Sequence, residues 1–585
     1  MIQTMIAFIQ RLQQRYQSVR EAASSDSKLT HFCNHALKTL VLAETSLLKQ
    51  QLDQTTNLPQ NIVIFGPTQA GKSTLVNCLL PEPLAGVSPL AGFTVHPQGF
   101  LTGSQGGNSA WLATMFPKFR QFDQADLTHD DLAGYALTEI NKPAILIDQK
   151  PTVIWDTPDF DSIDARGYID GVLRTIGLAD ILILAVSKEK YADQSVWEML
   201  ELLVTLDQPL LICINKLGEG EEQTLFRSFE HRFKTELPEA KVPALVSLPF
   251  VEADEELNSD HIIQALNLLI GNLAERTDQP QKFIKANWQN WIQPVQEEIQ
   301  DDLAWQENLQ IAIDSAMQSY RSEFLDHPDY YDTFQRAMAE LLDLLEIPGF
   351  GEKLGKARDV ITWPMRKLIG FGKSVLQSNP QEGAVSHDKS YEEALLRQLV
   401  DQVITDLAND SLLDPAIEES HANLWKQDFR RALNQSRQNV SDQFERQVST
   451  YQKEFDHEIQ DAAKELYLRL EDQPALLNSL RAARVTTDAA AVVFALHSGG
   501  ISLNDFILAP AMLSLSTMLT ESSVGQYMNT VKAKLKTQQY ETVQRLLFDH
   551  LQMELNKLRD QTSTNSRFQI SEQMIEKVEG EYFHE

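Results

Sequence analysis

Cysteine is scarce in this chain, which has only three, Cys33, Cys78 and Cys213, among its 585 residues. Their spacing fits neither a zinc-binding motif nor the framework of a disulfide-rich secreted domain. We therefore expect three buried thiols in a protein of the reducing cytoplasm.

Basic residues are too few to balance the acidic ones: 51 Lys and Arg stand against 82 Asp and Glu, a formal net charge of −31. A field of this sign repels phosphate backbones, so the composition argues against nucleic-acid binding. Any anionic surface that the protein binds must be met by a local basic patch.

Long apolar runs are missing as well, since no stretch reaches the roughly 18 apolar residues of a transmembrane helix. The first 19 residues lack the continuous apolar run and the small-residue cleavage site of a signal peptide. Their apolar residues recur at helical spacing, which predicts an amphipathic helix that either packs on another helix or lies on a membrane surface. These features favour a cytoplasmic protein, free or peripheral at the inner face of the membrane.

The chain divides into three regions by pattern. Residues 1–57 indicate two helices, which we expect to pack with a helical stalk. Residues 58–275 alternate short apolar runs with helical patterns, which is typical of an α/β domain with a mostly parallel sheet and helices on both faces. Residues 276–585 show helical periodicity only and predict a long all-α bundle or stalk. The strand candidates are Ile62–Phe65, 144–147, Thr152–Trp155, Ile181–Ala185, Leu210–Ile214 and Ala244–Ser247.

The helical region contains one especially regular stripe. Neither Gly nor Pro occurs between Pro415 and Pro474, and apolar residues recur there every three or four positions. One long helix with a single apolar face fits this pattern and must pack into a bundle or coiled coil. Three prolines, Pro280, Pro294 and Pro328, should kink or divide an earlier helical segment.

A phosphate-binding motif occurs at Gly66–Ser73, which matches G-x-x-x-x-G-K-[ST] in full between an apolar strand and a helix. The glycines let successive backbone N–H groups face the phosphates, and the helix N-terminus adds its positive dipole. Lys72 should reach the β- and γ-phosphates, and the Ser73 hydroxyl should bind Mg²⁺. The residues predicted to contact the nucleotide here are Gly66, Gln69, Ala70, Gly71, Lys72, Ser73 and Thr74.

Three further positions complete the predicted site. Asp156 ends an apolar strand, where a carboxylate can hold Mg²⁺, and residues 144–149 should form an antiparallel hairpin with that strand. Thr94 lies in a loop about twenty residues after the motif and could close over the γ-phosphate and Mg²⁺. With Lys72 and Ser73 it forms the predicted catalytic set. Asn215 and Lys216 end another buried strand and should contact the base.

This ordered set, Gly66–Ser73, Thr94, Asp156-Thr157-Pro158 and Asn215-Lys216, resembles the P-loop GTPase superfamily. Together with the flanking helical regions, it resembles the bacterial dynamin-like GTPases. The resemblance implies GTP as substrate, GDP as product and Mg²⁺ as cofactor. It also implies pairing of GTPase domains, either in a homodimer or with another dynamin-like chain, and a stalk whose tip contacts a membrane.

The sequence departs from the superfamily pattern at two places. Asp159 stands where the D-x-P-G motif has Gly, and Phe160 follows where Ras-like proteins carry a water-orienting Gln. Gly218 stands where [NT]-K-x-D has the Asp that recognises guanine, and Glu219, one residue later, is a candidate substitute. Without that carboxylate, selectivity for guanine over adenine would weaken.

Two segments are candidates for membrane contact. Residues 347–374 combine six basic residues with Trp and Phe, as an anionic membrane interface selects, although docking on the acidic stalk or on a partner fits equally. Residues 489–519 contain two apolar runs that would form either a membrane paddle or a buried helical hairpin. The competing functions are a soluble nucleotide-gated switch that binds a protein partner and an ATP-dependent regulator.

Overall fold

A computed structural model describes most of the chain. The described residues are 1–23, 27–88, 93–103, 109–143, 150–161, 165–218, 220–249, 260–271, 279–327, 333–344, 384–410, 421–479 and 525–583. The segments 347–374 and 489–519, proposed above as membrane contacts, lie outside them.

The chain divides into two compact units. The first comprises Met1–Ile299, Glu419–Leu424 and Thr564–Glu585, and the second comprises Gln300–Glu418 and Trp425–Ser563. The domain bounds expected from the sequence, 1–57, 58–275 and 276–585, stay a prediction. The N-terminal helices, the sheet and the last helices of the chain belong to one unit.

The first unit contains eight strands and most of the shorter helices. Its elements in chain order are α1 Ile2–Ala22, α2 Lys28–Asp53, β1 Gln60–Phe65, α3 Lys72–Leu79, β2 Gln98–Thr102, α4 Trp111–Met115, β3 Arg120–Phe122, β4 Gly134–Ile140, β5 Thr152–Asp156, α5 Ala165–Gly177, β6 Ile181–Ser187, α6 Gln194–Leu206, β7 Leu210–Leu217, α7 Glu222–Glu236, β8 Ala244–Pro249 and α8 Asp260–Gly271.

The eight strands form one sheet in the order β3-β4-β2-β5-β1-β6-β7-β8. All neighbouring pairs are parallel except β2 and β5, which run antiparallel with Gln98 opposite Asp156. The sequence pattern therefore found β1, β5, β6, β7 and β8 but missed β2, β3 and β4. The candidate 144–147 and its hairpin lie outside the described residues, and the described antiparallel neighbour of β5 is β2.

Helices cover both faces of the sheet, as expected. Alternate residues of β1 show the reason, because Ile62 and Ile64 point to one face while Val63 and Phe65 point to the other. The first face packs against α3 and α8. The second face packs against α5, α6 and α7. A central parallel strand buried on both sides needs this continuous apolar run.

The N-terminal helices pack against the sheet domain. Ser27 caps α2 by accepting a hydrogen bond from the Thr30 N–H, and α2 lies along α5. Two buried ion pairs fix this arrangement: Arg174 donates to Glu44 at 2.9 Å, and Arg15 donates to Glu298 at 2.6 Å. Residues 1–57 thus contact α5 of the sheet domain and, through Glu298, also the 276–585 region with which they were expected to pack.

The later helices are long. They are α9 Gln279–Tyr320, α10 Thr333–Leu344, α11 Ala384–Asp410, α12 His421–Glu471, α13 Gly525–Val543, α14 Asp549–Thr562, α15 Thr564–Phe568 and α16 Glu572–Phe583, with π-helical turns at Arg321–Leu325 and Gln544–Phe548. Pro280 lies in the first turn of α9, where its missing N–H costs nothing. Pro294 lies inside α9 without dividing it, and Pro328 lies outside the described residues.

The structure confirms the predicted long helix, since α12 runs for 51 residues, and all of it from Trp425 onward belongs to the second unit. Its apolar stripe is buried in the core of that unit, including Phe429, Leu433, Phe444 and Tyr451. Within the described part of the chain, no helix has both the length and the apolar character needed to cross a membrane.

A buried carboxylate lies in the centre of this helical core. Glu392 accepts hydrogen bonds at one oxygen from Tyr320 at 2.6 Å, Tyr451 at 2.7 Å and Gln539 at 3.0 Å. Burial raises the pKa of Glu392 above its ordinary value, although these hydrogen bonds and the nearby Arg336 act in the opposite direction. Four helices, α9, α11, α12 and α13, therefore meet at one buried polar group.

We expect Glu392→Gln to stabilise the second unit increasingly as the pH rises. A raised pKa in the folded state means that the stability contributed by Glu392 is present at low pH and is lost as the pH rises through that pKa. The uncharged amide keeps an acceptor for the tyrosines and avoids this loss. Thermal unfolding of the full chain should show a difference from wild type of about 1–3 kcal/mol at pH 8 and less at pH 5.

Glu393→Gln is the matched control, because the neighbouring Glu393 side chain is exposed and pairs with Arg397 on the helix surface. It should change stability little at either pH. A difference for Glu392→Gln that is the same at both pH values would contradict the assignment of the penalty to a buried charge.

Candidate functional site

The phosphate-binding loop lies at the carboxyl end of β1, between β5 and β6. Gly66 has no room for a side chain, because a Cβ there would lie 2.1 Å from the Ala185 carbonyl oxygen of β6. Gly71 has a φ of 89°, and a Cβ there would lie 2.1 Å from Nδ2 of Asn215. Both glycines of the motif are therefore required by close approach, and Gly71 by its left-handed backbone as well.

Lys72 begins α3 and is buried at 6% exposure. Its ammonium donates to the Asp159 carboxylate and, at 3.2 Å, to the Pro67 carbonyl oxygen. Asp159 comes from the segment after β5, at the position where the superfamily pattern has Gly. The lysine expected to bind a phosphate thus carries an internal carboxylate as its counter-ion.

Ser73 and Asp156 form the second contact of the site. The Ser73 hydroxyl donates to Oδ2 of Asp156 at 2.6 Å. The other oxygen, Oδ1, is buried and has no hydrogen-bond partner among the described residues. A buried carboxylate oxygen left without a partner beside a serine hydroxyl fits the ligand set of a hard cation such as Mg²⁺.

The ionisation of Asp156 follows from its surroundings. Burial raises the pKa of Asp156 to about 6, although the Ser73 hydrogen bond and the charge of Lys72 oppose this shift. A bound divalent cation would favour the ionised form, because an opposite charge close by stabilises the carboxylate.

A third contact was not anticipated from the sequence. Asp161 accepts hydrogen bonds from the N–H and the hydroxyl of Thr68, at 2.6 and 2.7 Å, and pairs with Lys190 at 3.1 Å. Burial acts to raise the pKa of Asp161, but these hydrogen bonds hold it below its ordinary value. The loop is therefore tied at both Thr68 and Lys72 to the segment that follows β5. No motif marks Asp161, and only its place two residues after Asp159 could have suggested it.

The base-binding candidates lie at the end of β7. Nδ2 of Asn215 donates to the Ala70 carbonyl oxygen at 3.0 Å, which joins β7 to the phosphate-binding loop. Its Oδ1 accepts from the Lys216 N–H at 2.8 Å. Lys216 has a φ of 61° and is exposed. The structure thus brings Asn215 into contact with the loop, while the roles of Asn215 and Lys216 at the base stay predictions.

The remaining predicted residues differ in placement. Gln69 is exposed with a φ of 59° in the loop, and Thr74 is half-buried in the first turn of α3. Thr94 is half-buried before β2 and makes no hydrogen bond among the described residues, so its contact with the site stays a prediction.

Phe160 is buried against Phe65 with ring centroids 6.3 Å apart. Glu219 lies outside the described residues.

We expect Asp159→Asn to strengthen nucleotide binding. In wild type a phosphate must displace the Asp159 carboxylate from Lys72, whereas the neutral amide competes more weakly for the ammonium. Titration with a fluorescent GTP analogue should give about a tenfold lower Kd, equivalent to about 1.4 kcal/mol. Asp193→Asn is the control, since it removes the same charge from an exposed carboxylate that pairs with Lys190 at 3.1 Å. An unchanged or higher Kd for Asp159→Asn would contradict the competition.

Comparison with known proteins supports this geometry over part of the chain. Residues 61–216 match the family model described as 50S ribosome-binding GTPase. No curated protein was found to match the chain. Two solved structures of an oligomerised bacterial dynamin pair, described as a mechanism for long-range sensing and tethering of membranes, align at 13% and 14% identity.

Each of these alignments covers 95% of this chain and 97% of the solved chain, with a TM-score of 0.35. A TM-score this low does not establish a common arrangement of the whole chain. The family match coincides with the strands that carry the phosphate-binding loop, Asp156 and Asn215. Residues 61–216 are therefore a P-loop GTPase domain.

Proposed function

We propose that the protein binds and hydrolyses GTP and that it works as a dynamin-like mechanochemical GTPase. The observation that carries the proposal is the meeting of Lys72, Ser73 and the buried Asp156 at the carboxyl edge of a parallel sheet. Ligands of such sheets bind at this edge, where the strand order reverses. A helical unit with a 51-residue helix accompanies the domain.

In this proposal the backbone of Gly66, Gln69, Ala70 and Gly71 surrounds the phosphates, and the first turn of α3 with Thr74 adds N–H donors. Lys72 binds the β- and γ-phosphates. Ser73, Asp156 and Thr94 are the proposed Mg²⁺ ligands, directly or through water. The bound Mg²⁺ would neutralise charge on the phosphates.

Nucleotide binding must exchange the partner of Lys72. Asp159 pairs with Lys72 in this structure. An arriving phosphate must therefore replace the Asp159 carboxylate as the partner of the lysine. Asp159 and Asp161 belong to the same short segment after β5, and that segment contacts the loop at two points. We infer that loss of the Asp159 contact moves this segment and makes it the nucleotide-sensitive switch.

Hydrolysis requires a group that orients the attacking water. The residue at the corresponding position is Phe160, whose ring is buried against Phe65 and has no hydrogen-bonding group. We propose that pairing with a second GTPase domain, from the same or another dynamin-like chain, completes the site. Slow turnover by isolated molecules follows from this proposal.

The proposal includes action on a membrane. It is motivated by residues 347–374, where Lys353, Lys356, Arg366 and Lys367 stand among Trp and Phe residues in an otherwise acidic chain. Each basic residue near an anionic surface contributes about 1 kcal/mol of attraction. A soluble switch that binds a protein partner is the outcome if lipid has no effect.

We expect the purified protein to hydrolyse GTP faster on anionic liposomes and at increasing protein concentration. Lys72→Ala should lower turnover by about 100-fold or more, because it removes a cation from the transition-state charge. Phosphate release with GTP and with ATP measures this, and a thermal unfolding scan of the variant checks its fold. GTP turnover that is absent in wild type would refute the enzymatic proposal.

Charge reversal tests the membrane contact separately. Arg366→Glu with Lys367→Glu should reduce co-sedimentation with phosphatidylserine liposomes by about tenfold or more, since two attractive charges become repulsive. Arg431→Glu with Arg437→Glu is the control, because both side chains are exposed on α12. Equal liposome binding by both variants would exclude residues 347–374 as the contact.

A further inference from the structure

The base end of the site lacks one expected side chain. The resemblance to P-loop GTPases implies an Asp at position 218 that accepts hydrogen bonds from guanine, and the sequence has Gly there. The rest of the base-binding region is intact, since Asn215 bonds to Ala70 and Lys216 is exposed beside it. To recognise guanine, the site needs another group that supplies this carboxylate.

The space beside Gly218 is occupied by the carboxylate of Glu221. A Cβ built on Gly218 would lie 3.1 Å from Oε2, 3.3 Å from the carboxyl carbon and 3.8 Å from Oε1 of Glu221. The carboxylate of Glu221 therefore lies next to the position into which a side chain at 218 would extend. Glycine at 218 leaves the room that this carboxylate uses, and an aspartate there would crowd it.

Two hydrogen bonds hold the Glu221 carboxylate at this position. The Gly218 N–H donates to Oε2 at 3.0 Å, and Nζ of Lys188, which follows β6, donates to Oε1 at 2.5 Å. These contacts lower the pKa of Glu221, so the group is ionised at neutral pH. Each oxygen keeps a further lone pair, because a carboxylate can accept about four hydrogen bonds.

The surrounding elements also fix where Glu221 lies. Glu221 immediately precedes α7, and the next residue, Glu222, accepts a hydrogen bond from Ser247 of β8 at 2.8 Å. The start of α7 is therefore attached to the carboxyl ends of both β7 and β8, on the same edge of the sheet as the phosphate-binding loop. The Glu221 side chain is 36% exposed and accessible to a ligand.

We infer that Glu221 supplies the carboxylate that recognises guanine, in place of the missing aspartate at position 218. This inference rests on the proposed binding of GTP. Guanine offers two adjacent N–H donors, at N1 and at the N2 amino group, to a carboxylate with two acceptor oxygens. Adenine has an unprotonated N1 and no N2 amino group, so it leaves the carboxylate unpaired and is rejected.

The test is the base preference of Glu221→Gln in the full chain. Dissociation constants for GDP, ADP and xanthosine diphosphate are measured with fluorescent analogues in the presence of Mg²⁺. The amide replaces one acceptor by a donor, so GDP should bind about 10-fold to 100-fold more weakly. Xanthosine diphosphate should bind more tightly than to wild type, because its C2 carbonyl accepts from the new amide.

Two neighbouring glutamates provide matched controls, and thermal unfolding checks the fold of every variant. Glu222→Gln changes a residue that contacts Ser247, and Glu219→Gln changes the candidate suggested by the sequence. Both variants should keep the wild-type preference for GDP. A gain for xanthosine diphosphate that is confined to Glu221→Gln supports the inference.

The outcomes separate this inference from the proposed function. Wild type that binds GDP and rejects ADP, with the same preference in Glu221→Gln, overturns the role of Glu221 and leaves the GTPase proposal standing. Loss of preference in Glu219→Gln alone also overturns it and assigns recognition to Glu219. Wild type that binds no guanine nucleotide overturns the proposed function and the inference together.

Discussion

The close approach of β1 to β6 is the constraint on which the rest of the site depends. Gly66 lies so near the Ala185 carbonyl that any side chain would separate the two strands. With the strands together, the loop after β1 lies at the carboxyl edge of a parallel sheet, and α3 directs its N-terminus there. Asp156 from the other neighbouring strand then meets Ser73.

Electrostatics at this edge differ from those of the whole chain. The protein carries a formal charge of −31, yet the proposed nucleotide site must attract a nucleoside triphosphate. Oriented N–H groups and Lys72 provide the local positive field that phosphates need. In this structure the negative charge of the Asp159 carboxylate offsets the positive charge of Lys72. Without this partner, the buried ammonium of Lys72 would carry a large desolvation penalty.

Buried polar contacts also organise the helices around and beyond the sheet. Arg174 and Glu44 join α5 to α2, and Arg15 and Glu298 join α1 to α9. In the second unit, one oxygen of Glu392 collects donors from three other segments. Such pairs add little net stability over apolar packing, but removal of one partner leaves a buried group unsatisfied. They therefore restrict which helices can pack together.

The sequence by itself determined the features that are local or periodic. The loop Gly66–Ser73, the strands β1 and β7, and the helix α12 could be predicted because each depends on neighbouring residues or on one repeating pattern. Strands β2, β3 and β4 escaped prediction, since β3 is short and exposed and β4 mixes apolar with polar residues. Their place in the sheet comes from pairing with distant strands, which no local pattern encodes.

Only the tertiary structure decided which charged groups complete the site. Lys72 and Asp159 are 87 residues apart, Thr68 and Asp161 are 93 apart, and Lys188 and Glu221 are 33 apart. These contacts exist because parallel strands bring their carboxyl ends to one edge of the sheet, whatever their separation along the chain. Sequence spacing pointed to Glu219 as a candidate substitute at the base, and only the structure shows that the carboxylate of Glu221 lies beside Gly218.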